Sequence, residues 1–285
     1  MISLAGKAAL VTGGSRGIGA ATVKLFAQAG ADVVFSYHRN REAAALVEQE
    51  TRKHGTRIES CKADLGRMAD AKKLVKFARG RLGHLDVLVA NAGIWNDDDA
   101  PIENLSEREW DEMIRVNLKS VYAVIHYTVP QMIAQHGGRI ITISSTSGQR
   151  GEPFHTHYSA TKGAIISFVK GLATELARHN ILVNCVAPGW VDTDMSAPTL
   201  ATKAGAKKVV ATIPIGRVGR PEEIAGPILF AASDLATFMT GEVINVNGEQ
   251  SCADRRTSGF GCRRGSGSGD VCDLLPGNSP SVLEL

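Results

Sequence analysis

The 285-residue chain has almost no charge imbalance: 32 Lys and Arg stand against 29 Asp and Glu, a formal +3. So small and evenly mixed an excess gives no footprint for nucleic acid or an anionic membrane surface, and no polyanion partner is expected. Residues Met1 to Leu10 lack the basic start, apolar stretch and small-residue cleavage site of a signal peptide, and no apolar run reaches the ~18 residues of a membrane span. A cytosolic location without a membrane partner is expected. Cysteine is scarce, and an odd total of five makes no disulfide framework. Cys61 and Cys185 stand alone in apolar stretches. Cys252, Cys262 and Cys272 are ten residues apart, far from the two-to-four spacing of paired zinc thiolates, and no histidine follows them. No metal site is expected.

What is present is a 44% apolar composition suited to one large soluble domain. β-branched apolar runs alternate with helical periodicity from the first residues to about position 250, the pattern of an α/β fold with both faces of a parallel sheet covered. Strands are expected at Ala8 to Thr12, Asp32 to Ser36, Arg57 to Cys61, Asp86 to Val89, Gly138 to Ser144, Leu182 to Val186 and Val243 to Val246. Long helices are expected at Glu107 to Gln135 and Tyr158 to His179, where apolar positions return at three and four residues. The prediction is a single doubly wound, Rossmann-like domain over 1–251 with a seven-stranded parallel sheet. After Gly248 the pattern stops. Residues 252–285 hold six Gly, five Ser, two Pro and four Arg, too little apolar surface to order a segment. This stretch reads as a disordered or artefactual tail.

The first strand runs into Thr12, Gly13, Gly14, Ser15, Arg16, Gly17, Ile18 and Gly19, followed by the helix-forming stretch Ala20 to Ala29. Glycine at 13, 17 and 19 allows positive φ, close approach of phosphates to backbone amides, and tight packing of helix on strand. The helix N-terminus favours negative charge, so a dinucleotide pyrophosphate suits this site. The spacing is not G-x-G-x-x-G, and alone it fits an ordinary tight loop as well. Tyr158 and Lys162, four apart on one helix face, can share a ligand. With reference pKa values of about 10 and 10.4, a neighbouring ammonium is expected to favour the phenolate and draw the tyrosine's acidity toward working pH.

In order along roughly residues 4 to 250 stand Thr12-Gly13-x3-Gly17-Ile18-Gly19, Asp64-Leu65, Asn91-Ala92-Gly93, Asn117, Ser145, Tyr158-x3-Lys162, and Pro188-Gly189 followed by Thr193. With these motifs the sequence resembles the short-chain dehydrogenases/reductases. The resemblance implies direct hydride transfer between a nicotinamide and a ketone carbon. It makes Tyr158 the general acid, Ser145 the group positioning the substrate oxygen, and Lys162 the holder of the nicotinamide ribose. Asn117 would hold a water that relays protons to Lys162. Ser145 is chosen over Ser144 because its thirteen-residue interval to Tyr158 matches the family pattern, while Ser144 should point to the other side of the strand. Cofactor contacts are carried over to Thr12, Gly13, Ser15, Arg16, Gly17, Ile18 and Gly19, to Leu65, Ala92 and Gly93, and to Pro188, Gly189 and Val191. Asp64 would hold the adenine amino group, Asn91 the adenosine ribose and Thr193 the carboxamide.

An acid at the end of the second strand, about 20 residues past the glycines, bonds a ribose 2′-hydroxyl and repels a 2′-phosphate. Here Ser36 and Tyr37 occupy that place and Asp32 comes too early, while Arg16 and Arg39, with His38, supply cations. NADP(H) is therefore favoured over NAD(H).

His155 and His157 flank the tyrosine, but no third ligand completes a metal shell. Trp95, Trp190 and Met195 are read as pocket lining or core, with an irregular stretch from Trp190 to Ile213 covering the substrate. Within the family the resemblance is strongest to the 3-oxoacyl-acyl-carrier-protein reductases, carried by Gly138 to Ile143 and Asn184 to Gly189. It implies an acyl-thioester substrate, an acyl carrier protein as partner and a homotetramer. An acidic carrier needs a basic patch near the mouth of the site, and His136, Arg139, Arg178 and His179 are the candidates. Asp97, Asp98 and Asp99 would repel it, which keeps a small ketone, sugar or polyol as the alternative. A cofactor-binding regulator or scaffold without turnover is the non-enzyme alternative.

Overall fold

The computed structural model describes residues 2–249. The expected tail, with Cys252, Cys262 and Cys272, lies outside the described residues. Seven strands, β1 (Ala8–Val11), β2 (Asp32–Tyr37), β3 (Ile58–Lys62), β4 (Val87–Ala90), β5 (Gly138–Ile143), β6 (Ile181–Pro188) and β7 (Val243–Val246), form one parallel sheet in the order β3-β2-β1-β4-β5-β6-β7. Ten α-helices lie among the described residues: α1 (Gly17–Gln28), α2 (Arg41–Thr51), α3 (Met68–Leu82), α4 (Glu107–Met113), α5 (Ser120–Ala134), α6 (Ser147–Arg150), α7 (Thr156–Leu176), α8 (Ala197–Leu200), α9 (Lys203–Val210) and α10 (Pro221–Ala232).

Strand pleating sends alternate side chains to opposite faces, and both faces are apolar because both are covered. Ala8 and Leu10 of β1 join Leu88, Ile140 and Val183 under Leu74 of α3, Val124 of α5 and Ile165 of α7. Ala9 and Val11 join Val33, Phe35 and Val89 under Val23 and Phe26 of α1, Val47 of α2 and Ile228 of α10. Phe26 and Phe35 are fully buried, and burial of such a ring contributes about 1.5–3 kcal/mol.

The strand order reverses between β1 and β4, the switch point at which open α/β sheets leave a crevice beyond the strand C-termini. Two expectations about connecting elements are corrected. The predicted helix Glu107 to Gln135 starts where expected, fixed by a capping box of Ser106 and Glu109. It is then broken by a π-helical turn over Ile114–Lys119, between α4 and α5. The stretch Trp190 to Ile213 is not irregular throughout: it contains α8 and α9, the latter started by Thr202, whose side chain accepts from the Gly205 N–H at 3.0 Å. Among the described residues no helix is long and apolar enough to cross a membrane, and no three His, Cys, Asp or Glu gather as a metal shell.

Candidate active site

A cleft of about 700 Å³ opens at this switch point. Its floor is the turn from β1 to α1. Gly13 has φ +66°, and a Cβ on Gly19 would stand 2.1 Å from the Gly13 carbonyl oxygen, so the turn can close onto α1 only with glycine at both places. Thr12 is the one residue expected at the cofactor that does not line the cleft. It is buried, and its Oγ1 accepts from the N–H groups of Asn91 (2.9 Å) and Ala92 (3.0 Å), while Asn91 Nδ2 donates to the Thr12 carbonyl at 3.0 Å. Thr12 is a strut that fixes the turn after β4. Gly13, Ser15, Arg16, Gly17, Ile18, Gly19, Tyr37, Arg39, Asp64, Leu65, Asn91, Ala92, Gly93, Tyr158, Lys162, Pro188, Gly189, Val191 and Thr193 all line the cleft. Thr193 closes over the glycine turn: a Cβ on Gly17 would meet its Cγ2 at 3.2 Å.

Asp32 sits at the start of β2, away from the cleft, bound to the Arg57 N–H (2.7 Å) and guanidinium (3.1 Å). The Ser36 hydroxyl accepts from the Gly13 N–H at 3.2 Å. Arg16 pairs with Asp194 at 3.4 Å, both side chains largely in solvent, whereas Arg39 is exposed and forms no salt bridge among the described residues. One residue was missed by sequence reading. Arg115, in the π-helical turn, reaches the cleft wall and donates through Nη1 to both Asp64 oxygens (2.9 and 3.1 Å), and through Nε and Nη2 to Glu112 (2.7 and 2.8 Å). Burial pushes the Asp64 carboxyl up, but hydrogen bonds and charge from Arg115 outweigh it and hold the carboxyl below its ordinary value.

Ser145 follows β5 and faces the cleft, its Oγ accepting from the Ser147 N–H at 3.1 Å. Ser144 spends its hydroxyl on the Lys162 carbonyl at 2.7 Å. Lys162 Nζ lies 5.6 Å from the centre of the Tyr158 ring and donates to the Ile143 carbonyl at 2.9 Å. The expected fall of the tyrosine pKa does not occur in this structure. Burial pushes the Tyr158 phenol up to about 12, partly offset by the Ser145 hydroxyl and reinforced by Glu152, and burial pulls Lys162 down to about 8. Spacing on a helix brought the pair together but said nothing about their removal from water.

Asn117 is fully buried and lies behind the cleft wall. Its Oδ1 accepts from the Ile94 N–H at 2.7 Å and its Nδ2 donates to the Ile94 carbonyl at 2.9 Å. The amide thus fixes the loop after β4. A Cβ on Gly93 would stand 3.1 Å from Asn117 Oδ1 and 3.6 Å from Lys162 Nζ, so this glycine keeps open the space that both border. The proposed basic patch is displaced: His136 and Arg139 lie at the start of β5, and Arg178 and His179 just before β6, at the opposite end of the sheet from the cleft of the same chain. Arg139 is also mostly buried, near Asp234 at 3.9 Å.

Fold and cleft define a Rossmann-like α/β protein with a Ser, Tyr and Lys set facing a glycine turn. The family model described as enoyl-(acyl carrier protein) reductase matches residues 13–248. The 3-oxoacyl-(acyl-carrier-protein) reductase FabG of Aquifex aeolicus is 39% identical over 247 residues, 87% of this chain and 98% of that protein. The protein of the same name from Chlamydia muridarum is 41% identical over 247 residues, 86% of this chain and 97% of its own. Among solved structures, a short-chain type dehydrogenase/reductase from Mycobacterium marinum superposes with a TM-score of 0.82 at 33% identity, covering 88% of this chain and 97% of that one. The chain belongs to the short-chain dehydrogenase/reductase family and is an NAD(P)-dependent oxidoreductase acting on CH–OH groups.

Proposed function

We propose that the protein reduces a ketone to a secondary alcohol with NADPH, Tyr158 giving the proton and Ser145 holding the oxygen. The observation that carries this reading is the placement of Ser145, Tyr158 and Lys162 on the wall of the cleft that begins at the glycine turn. The residues there fit a dinucleotide. The amides of the glycine turn and the α1 N-terminus suit the pyrophosphate, Arg16 and Arg39 a 2′-phosphate, Asp64 and Leu65 the adenine, and Thr193 the carboxamide. The reduced nicotinamide, when bound, supplies the hydride.

Tyr158, with its phenol pushed up to about 12, is protonated at neutral pH and ready to donate. Lys162, pulled down to about 8, is still mainly charged there and stabilises the phenolate left behind. One lone pair of Asn117 Oδ1 remains for a water in the space that Gly93 leaves beside Lys162, and this is the path for reprotonation. The sign of the pH dependence follows. Oxidation of the alcohol needs the phenolate beside a charged Lys162, so its rate should climb with pH, by up to about tenfold per unit, until Lys162 loses its proton at about 8, and level off above that. Reduction should stay level through neutral pH and decline as Lys162 loses its proton above about 8. Initial rates in both directions from pH 6 to 10 check this; an oxidation rate that is highest at neutral pH would contradict it.

The relatives, 3-oxoacyl-(acyl-carrier-protein) reductases by name, make 3-oxoacyl thioesters the first substrates to test. The second reading, a small ketone, sugar or polyol, is favoured by the exposed acids Asp97, Asp98 and Asp99 and by the remote position of the basic patch. NADPH oxidation followed by absorbance, with acetoacetyl thioesters and open-chain sugars in one panel, separates the two. No oxidation with any carbonyl compound would favour the regulator or scaffold instead. The ketone-reductase reading also carries a cytosolic location and a homotetramer, the latter tested by sedimentation of the purified protein.

A further inference from the structure

Aromatic rings from three loops meet beside Tyr158. Trp95 lies face to face on His155, with centroids 4.0 Å apart and planes 11° from parallel. It meets Tyr158 edge-on at 4.7 Å and Trp190 at 6.4 Å. Trp95 follows β4 and Trp190 follows β6, while Ser145 follows β5, the strand between them. Rings from the two flanking strands therefore meet across the end of the strand that carries Ser145.

Trp95 is also held in place. His155 is buried, and the Ala100 N–H donates to the Phe154 carbonyl at 3.0 Å, fastening the loop of His155 to that of Trp95. Asn117 secures the same loop at Ile94. A swing of Trp95 would break the His155 stack and the Tyr158 contact together, and such ring pairs stabilise beyond their buried area.

We infer that Trp95, backed by His155 and met by Trp190, is a specificity-determining residue: an aromatic stop that confines the site to ketones with a short substituent on the side of the two indoles. The inference rests on the ketone-reductase reading and deepens it by naming compact ketones as the substrate class. On this inference a longer chain would have to part the two indoles, whereas a four-carbon oxo compound would not.

The test compares kcat/KM for acetoacetyl and 3-oxooctanoyl thioesters of N-acetylcysteamine in the wild type, Trp95→Ala and Trp190→Ala. The wild type should prefer the four-carbon substrate by at least about tenfold, the scale on which pockets discriminate by a few methylenes. Trp95→Ala should erase or reverse that preference, and Trp190→Ala should weaken it. The ratio is taken within each protein, so a general loss of activity from disturbed Tyr158 cancels, and Trp190→Ala tests the stop should Trp95→Ala not fold. Equal use of both chains by the wild type, or an unchanged ratio in the variants, would overturn the stop while leaving ketone reduction standing. A wild type that oxidises NADPH with neither thioester nor any small ketone overturns the ketone reading itself, and the stop with it.

Discussion

Tyr158→Phe should lower ketone reduction by about 10²–10⁴-fold, the range in which general acid catalysis contributes, and leave cofactor affinity almost unchanged. The ring that remains keeps its edge against Trp95 and its place near Lys162, so only the hydroxyl is lost. The phenol is buried, hydrogen-bonded to Ser145 and held in its protonated form, and on the proposed reading it gives its proton to an oxygen in that part of the cleft. The glycine turn and the residues after β2 lie at other strand ends and do not depend on it. Steady-state rates with a reducible ketone, together with a fluorescence titration of NADPH, measure the two effects separately. Near-normal turnover in the variant would remove Tyr158 from the role of acid.

Apolar runs made the inner strands β1, β2, β4, β5 and β6 readable, because strands buried on both faces have no polar side to interrupt them, and in all seven strands each end lies within two residues of its expected position. The π-helical turn at Asn117 was not readable. A single wider turn barely shifts an apolar repeat, and Ile114–Lys119, with Arg115, Asn117 and Lys119 among its apolar residues, reads as an ordinary amphipathic helix. Arg115 looked like an ordinary charge on a helix, and only the folded chain brings it to Asp64, 51 residues away in sequence. The residues lining the cleft were legible from motifs, whereas the protonation of Tyr158 and Lys162 was not, since it is set by burial that no spacing encodes. For the same reason Thr12 and Asn117 could be named, yet not recognised as struts that hold the Asn91 and Ile94 loop.

The second large effect expected is at the coenzyme. The wild type should bind NADPH more tightly than NADH, and Arg39→Asp should cost about 10²-fold in NADPH affinity while NADH binding changes little. No carboxylate stands at the end of β2, since Tyr37 fills that place and Asp32 is held at the far end by Arg57. Of the cations near the cleft, Arg115 is already shared between Asp64 and Glu112, and Arg16 is drawn to Asp194. Arg39 alone of these three makes no salt bridge among the described residues, and so has its donors available for a phosphate. In the variant a charge-assisted hydrogen bond becomes a like-charge contact, a swing of a few kcal/mol in order of magnitude, and each ~1.4 kcal/mol is tenfold in affinity. Arg39 is exposed, so added salt should shrink the effect. Dissociation constants for both coenzymes and both proteins, at low and high ionic strength, give the answer directly. Equal NADPH affinity in wild type and variant would show that Arg39 stays in solvent, leaving Arg16 as the cation at the phosphate.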